Sequence, residues 1–279
     1  MAHSFPTRRS SDLAFAAGQA KVGCRPIVDI YSTFLQRSFD QIFQEVCLQN
    51  LPVVFMLDRA GLTGPDGPTH HGAFDLGYLR LFPNMTVLAP ADEHDLVAML
   101  DWALGQPGPV AIRYPKTVVE RLERPRAPLA AGRCEPLAEG ADGLVVACGT
   151  LLHAALEAAR ILREEGLEVG VINARFVKPL DAQGLVERIE AAPWVVTVEE
   201  NALPTGFGSA VLEAVADARI ASGPIVRLGL PDRFVEHGER GELLAELGLD
   251  AAGIAAACRG LAHASRPLSH AAPTGGRCP

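Results

Sequence analysis

The chain has 279 residues, with 33 acidic side chains against 25 basic ones and a net charge of −8. Hydrophobic residues make up 48% and charged residues 21%, which excludes wholesale disorder, and an acidic balance without a basic stripe excludes nucleic acid as the main partner. No apolar run approaches the ~18–20 residues of a bilayer span, so no membrane partner is expected, and at ~100–200 residues per domain the length predicts about two domains.

In chain order, residues 26–30 read as a short buried strand. Phe39, Ile42, Phe43, Val46 and Cys47 follow at helical spacing and predict one apolar stripe on a helix over 33–49. Residues 51–57 are the next strand, with Pro52 near its entrance, where a lost donor matters least. A loop rich in Gly and Pro covers 58–72. A helix near 73–80, a strand near 86–89, a helix over 93–104 and a strand at 110–113 complete the first unit. Periodicity then fades through a charged, proline-bearing stretch, so 117–140 is expected to be a linker.

The second unit begins with a strand at 144–148, followed by Gly149-Thr150 and a helix over 152–165. Strands at 168–172 and 194–198, a helix over 206–218, a strand at 225–228 and helices near 238–247 and 251–262 follow. Repeated strand–helix–strand order predicts an α/β protein of two consecutive domains with mainly parallel sheets, over 15–116 and 141–262. Residues 263–279 carry little apolar content and are expected to form a flexible tail. Six cysteines without a CxxC pair fit neither a zinc ribbon nor a disulfide scaffold, and point to a reducing cytoplasm.

Open parallel sheets bind ligands beyond the carboxyl ends of their strands. Two such places are rich in chemistry. Residues 31–37 (Tyr-Ser-Thr-Phe-Leu-Gln-Arg) follow the first strand, and they place Phe34 and Arg37 three apart, on one helix face. The loop after the second strand gathers Arg59, Asp66, His70 and His71 among four glycines and two prolines. An arginine fork there can clamp a phosphate or carboxylate, and a histidine can pass protons near neutral pH; a solvated surface loop is the plainer alternative. Adjacent histidines do not point at one ion, and no metal ligands are assigned. Arg113 and Lys116 flank Tyr114-Pro115 and can neutralise an anion or serve as linker charges. Arg175 and Glu199-Glu200-Asn201, after strands of the second unit, read as interdomain or subunit contacts.

These residues carry a family resemblance. Tyr-Ser-Thr-Phe-Leu-Gln-Arg, Asp-Arg-Ala-Gly, Gly-Pro-Asp-Gly-Pro-Thr-His and Arg-Tyr-Pro-Lys resemble, in order and spacing, the 1-deoxy-D-xylulose 5-phosphate synthases. Arg-Phe-Val-Lys-Pro-Leu-Asp, Val-Thr-Val-Glu-Glu-Asn-Ala and Gly-Leu-Pro-Asp-Arg-Phe extend the likeness, which covers about residues 15–261. The resemblance implies a transketolase-type transferase that uses thiamine diphosphate and Mg2+ to join pyruvate to glyceraldehyde 3-phosphate with loss of carbon dioxide, feeding isoprenoid, thiamine and pyridoxal synthesis. It implies a homodimer, with a pyrimidine-binding domain followed by a transketolase C-terminal domain. Carried over by position, Phe34 stacks on the aminopyrimidine ring and Arg37 lines that pocket. Tyr31, Arg59 and Asp66 face substrate, His70 handles protons, and Lys116 takes the place of the family's phosphate-binding arginine. His71 stands where the family has glutamine.

Two departures shape what is expected. Ungapped counting places Arg9 where the family has its activating glutamate, so residues 1–14 read as a non-native segment. No Gly-Asp-Gly occurs in the chain, so the half-site for the diphosphate and Mg2+ is not expected here. The resulting expectation is a C-terminal portion of a synthase, inactive alone. The alternatives are a β-type subunit of a split thiamine diphosphate enzyme (a 2-oxo acid dehydrogenase component or a two-chain transketolase) and a non-catalytic dimerisation module.

Overall fold

The computed structural model describes residues 5–118, 121–124 and 127–265, with side chains described from 11 to 264. Its first element is α1 (Phe5–Lys21), whose Leu13, Ala16, Ala17 and Ala20 recur at helical spacing and are all buried. The helix therefore crosses the junction expected after residue 14. The side chain of Arg9 and all of residues 1–4 lie outside the described set.

The first sheet has the order β1 (Ile27–Tyr31), β2 (Val54–Asp58), β4 (Val110–Arg113) and β3 (Thr86–Leu88), all parallel. Between β1 and β2 the expected single helix is instead α2 (Ser32–Leu35), a 3₁₀ turn (Gln36–Ser38), α3 (Phe39–Gln41) and a π-helical stretch (Ile42–Cys47). The apolar stripe survives this rewinding, since Leu35, Ile42, Val46 and Cys47 are buried beneath α1 and the sheet. α4 (Asp75–Leu79) leads to β3. α5 (Glu93–Leu104) then starts at Asp92, whose side chain accepts from the Asp95 N–H at 2.9 Å, an N-cap that fixes this boundary.

The second sheet runs β10 (Ile225–Leu230), β9 (Val195–Ala202), β6 (Gly143–Ala147), β7 (Val169–Asn173) and β5 (Glu135–Ala138). All neighbours are parallel except β5, which pairs antiparallel with β7 from inside the stretch expected to be linker. The helices are α6 (Leu152–Glu164), α7 (Ala182–Ala191), α8 (Phe207–Ala218), α9 (Arg240–Glu246) and α10 (Ala251–Ser265). Of the tail expected over 263–279, residues 263–265 instead belong to the last turn of α10, and those from 266 onward lie outside the described residues. None of the described helices is long and apolar enough to cross a membrane.

The two units interlock. β8 (Phe176–Lys178) lies in the second half of the chain but adds an antiparallel edge to the first sheet beside β3, and Lys178 Nζ donates to the Arg80 carbonyl at 2.9 Å. Nearby, a buried ionic cluster crosses the same boundary. Arg175 Nη2 donates to Glu135 Oε1 at 2.9 Å and Asp95 Oδ1 at 3.3 Å, while Asn173 Nδ2 reaches Asp95 Oδ2 at 3.0 Å and Glu135 Oε2 at 3.1 Å. Arg124, from the expected linker, pairs with Asp95 at 3.1 Å and also with Glu135. Charges buried this thoroughly persist only because each meets an opposite partner.

Candidate active site

The parallel register of β1 and β2 sets Tyr31 beside Asp58, and the chain then turns into α2 on one strand and into the glycine-rich loop on the other. Tyr31 and Phe34 stack with centroids 4.9 Å apart and rings 3° from parallel. His70 approaches Phe34 edge-on, at 5.7 Å and 67°. Arg59 holds its guanidinium carbon 3.8 Å from the Tyr31 ring centre, and Arg37 lies 5.9 Å from that of Phe34. Five side chains from two chain segments thus meet at the carboxyl ends of two neighbouring strands.

Electrostatics explain how the cluster is held. Arg59 adopts a left-handed backbone conformation (φ 55°), unusual for a residue with a side chain, and its guanidinium pairs with Asp58. Burial pushes the Asp58 carboxyl up and Asp29 reinforces this, while Arg59 opposes it. Asp58 Oδ1 is buried without a hydrogen-bond partner. The neighbouring Tyr114 phenol is pushed up to about 12, by burial first and then by Asp29 and Asp58. Arg59 therefore sits on an acidic footing with one ring face beneath its plane. His70 Nδ1 lies 3.0 Å from Thr69 Oγ1. A planar, electron-poor ring can stack or pack edge-on against such aromatics, and an anionic oxygen can be gripped by the guanidinium fork.

The remaining candidates have other partners. Asp66 and Lys116 pair with each other at 3.7 Å, both exposed. Arg113, read as a possible anion site, is buried: its Nε donates to both Asp75 carboxylate oxygens at 3.1 Å and its Nη2 donates to the Glu200 carbonyl at 3.0 Å. It cannot meet a ligand, because a buried carboxylate already claims it.

Sequence reasoning missed what holds the loop. His71 is buried, and its Nδ1 accepts from the Thr63 N–H at 3.0 Å. That geometry leaves the proton on Nε2, which donates to the Glu236 carbonyl of the second unit at 3.3 Å. Glu199 and Glu200 point opposite ways because strand side chains alternate. Glu199 accepts from Phe207 N at 2.6 Å and Gly208 N at 2.8 Å at the start of α8, whereas Glu200 faces the loop and accepts from Leu62 N at 2.7 Å. Two adjacent carboxylates ending an apolar run are the signal that could have marked this division.

Comparison with known proteins agrees with this architecture. Residues 10–121 match the family model "Transketolase, pyrimidine binding domain" and residues 132–254 match "Transketolase, C-terminal domain". The 1-deoxy-D-xylulose-5-phosphate synthase of Rhodopirellula baltica is 54% identical over 250 residues, covering 90% of this chain and 39% of the relative. Synthase 1 of Geobacter sulfurreducens is 53% identical over 247 residues, covering 88% of this chain and again 39% of the relative. The chain thus spans about two fifths of the length of these curated relatives. Among solved structures, a split-gene transketolase described as an inactive beta4 tetramer superposes with a TM-score of 0.83 at 33% identity, covering 92% of this chain and 82% of that one. A transketolase variant from Pichia stipitis shares the fold, with a TM-score of 0.77 at 21% identity over 92% of this chain and 37% of its own. The chain belongs to the transketolase family, carries its pyrimidine-binding and C-terminal domains, and resembles the 1-deoxy-D-xylulose-5-phosphate synthases within it.

Proposed function

We propose that this chain serves the 1-deoxy-D-xylulose-5-phosphate synthase reaction, the decarboxylative joining of pyruvate to glyceraldehyde 3-phosphate with thiamine diphosphate, and that its ring–cation cluster receives the aminopyrimidine end of that cofactor. The observation that carries the reading is the convergence of Tyr31, Phe34, Arg59 and His70 at the strand ends. The residues fit the heterocycle: Tyr31 and Phe34 form an aromatic pair, with the Arg59 guanidinium over one ring and that of Arg37 near the other. The metal half is another matter, since the Gly-Asp-Gly that the resemblance would lead one to expect for it occurs nowhere in the sequence. Mg2+ and the diphosphate are therefore assigned no residue of this chain.

When bound, thiamine diphosphate would supply the carbon centre that accepts the electrons released on decarboxylation. This chain's own residues orient and neutralise. Phe34 and Arg37 set the ring plane, Tyr31 and Arg59 face the pyruvate carboxylate or the aldehyde, and His70 holds or gives a proton at its ring nitrogen. Lys116 meets the aldehyde's phosphate, with Asp66 as its competing partner. The reading includes a homodimer, residues 15–116 and 141–262 as the two functional units, and a cytoplasmic setting based on the cysteine usage. Calorimetric titration of thiamine diphosphate into the chain tests it. Phe34→Ala is expected to weaken binding about five- to tenfold. No binding to the native chain, or equal binding by the variant, would refute the assignment.

Lys116 carries a second expectation. A lysine offers a point charge where an arginine offers a fork, so Lys116→Arg is expected to tighten glyceraldehyde 3-phosphate binding about three- to tenfold. Unchanged or weaker binding in a titration would move the phosphate away from this residue. The likeness to a split-gene transketolase, 82% of which this chain covers, favours a second reading as a β-type subunit. Turnover that appears only when a separate Gly-Asp-Gly-bearing domain is added would select that reading over the homodimer.

A further inference from the structure

The loop that carries Arg59, Asp66 and His70 is braced from within by the Thr63–His71 bond and by the Gly67 carbonyl, which accepts from the His70 and His71 N–H groups at 2.9 and 3.1 Å. Its neck is closed by paired backbone bonds between Gly61 and Gly72 (2.8 and 2.7 Å), and one 3₁₀ turn (Gly64–Asp66) lies within it. The second domain then ties this loop down along its length. Leu62 N–H donates to Glu200 Oε1 at 2.7 Å, His71 reaches the Glu236 carbonyl, Gly238 N–H meets the Gly64 carbonyl at 3.4 Å, and Ala202 N–H meets the Ala73 carbonyl at 2.8 Å.

Glu200 is the centre of this seam. Its carboxylate is 4% exposed, is paired with Arg240 (Nε to Oε1, 3.1 Å), and its carbonyl is held by Arg113. The loop is contoured to it: Gly61 has a φ of +80°, and a Cβ there would lie 2.6 Å from Glu200 Cδ. We propose that Glu200 is a positioning residue, by which the C-terminal domain sets the substrate-facing loop of the pyrimidine domain while leaving the Tyr31–Phe34 ring pair to the first domain's own strand and helix. The consequence is a division of labour. Glu200 governs the loop's Arg59, Asp66 and His70, and neither Phe34 and Arg37, which hold the cofactor ring, nor Tyr31, which faces substrate from the end of β1. This rests on the reading given under Proposed function.

Hydrogen–deuterium exchange on the whole chain tests the positioning directly. In Glu200→Ala, amides of residues 60–72 are expected to exchange about tenfold faster, with those of β6 and α6 within about twofold of native. Glu200→Gln keeps an oxygen for Leu62 but loses the charge facing Arg240, so it should fall between; if the alanine variant fails to fold, the glutamine variant decides alone. Paired titrations complete the test. Glyceraldehyde 3-phosphate should bind Glu200→Gln several-fold more weakly, about threefold or more, with thiamine diphosphate within about twofold of native. Loop exchange at the native rate, an equal acceleration everywhere, or equal weakening of both ligands overturns the proposal. If neither ligand binds the native chain, the functional reading falls, and the exchange comparison still decides the role of Glu200.

Discussion

Replacing Arg113 with methionine is expected to lower the unfolding free energy by about 3–5 kcal/mol, the range for removing one partner of a buried ion pair. Asp75 has no exposed surface, and among the described residues its carboxylate otherwise receives only Ser32 Oγ at 3.0 Å and Leu76 N–H at 2.8 Å. Methionine approximates the arginine's volume but donates nothing, so a charge would remain in a medium that stabilises it poorly. The same change releases the Glu200 carbonyl, so the boundary between the domains loosens as well. At ~2–4 °C per kcal/mol for a chain of this size, a fall in Tm of about 10 °C should be visible by calorimetry. The double variant Arg113→Met/Asp75→Asn should recover much of the loss, because its carboxamide needs no counter-charge. A loss below about 1 kcal/mol, or no recovery in the double variant, would show that the pair is not what holds this region.

Arg113 also shows where sequence reading stops. It ends a strand, the same kind of position that Tyr31 holds at the end of β1. Nothing local separates an arginine that faces a cleft from one committed to a carboxylate 38 residues away. The strands themselves were legible because buried parallel strands are short continuous apolar runs, and the helices over 93–104 and 152–165 because their stripes are regular. β5 and β8 were not. Each is three or four residues long, pairs antiparallel at a sheet edge, and carries Pro, Glu or Lys, so neither shows a period. α7 was missed as well, although Asp181 caps it by accepting from Gly184 N–H at 3.0 Å. The Tyr31–Phe34–His70–Arg59 convergence was legible from strand ends and loop chemistry. Its support from Glu200, Glu236 and His71 was not, because those bonds join residues 138 and 165 positions apart.

Glu199 should make stability depend on pH in the direction opposite to a carboxylate held ionised by ion pairs. Burial raises its folded-state value from 4.5 to about 7, overcoming the Gly208 and Phe207 N–H donors and the positive charges of Arg113 and Arg227. Below pH ~4.5 the carboxyl is protonated in both states and costs nothing. Between there and pH ~7 the unfolded chain ionises it while the folded chain keeps the proton, so rising pH favours unfolding. The stability present in acid is therefore lost as pH climbs through the folded-state value, by about 3 kcal/mol in total and at most ~1.4 kcal/mol per pH unit. Glu199→Gln removes the titration while leaving an oxygen for α8. A longer side chain could not substitute from position 206, where a Cβ would lie 2.2 Å from Glu199 Oε2. The difference in unfolding free energy, native minus variant, should fall steadily from pH 4.5 to 7.5 in denaturant titrations and level off beyond. Were that difference flat or rising instead, the two backbone donors and two guanidinium groups would outweigh desolvation, and Glu199 would be an ionised cap of α8 throughout this range.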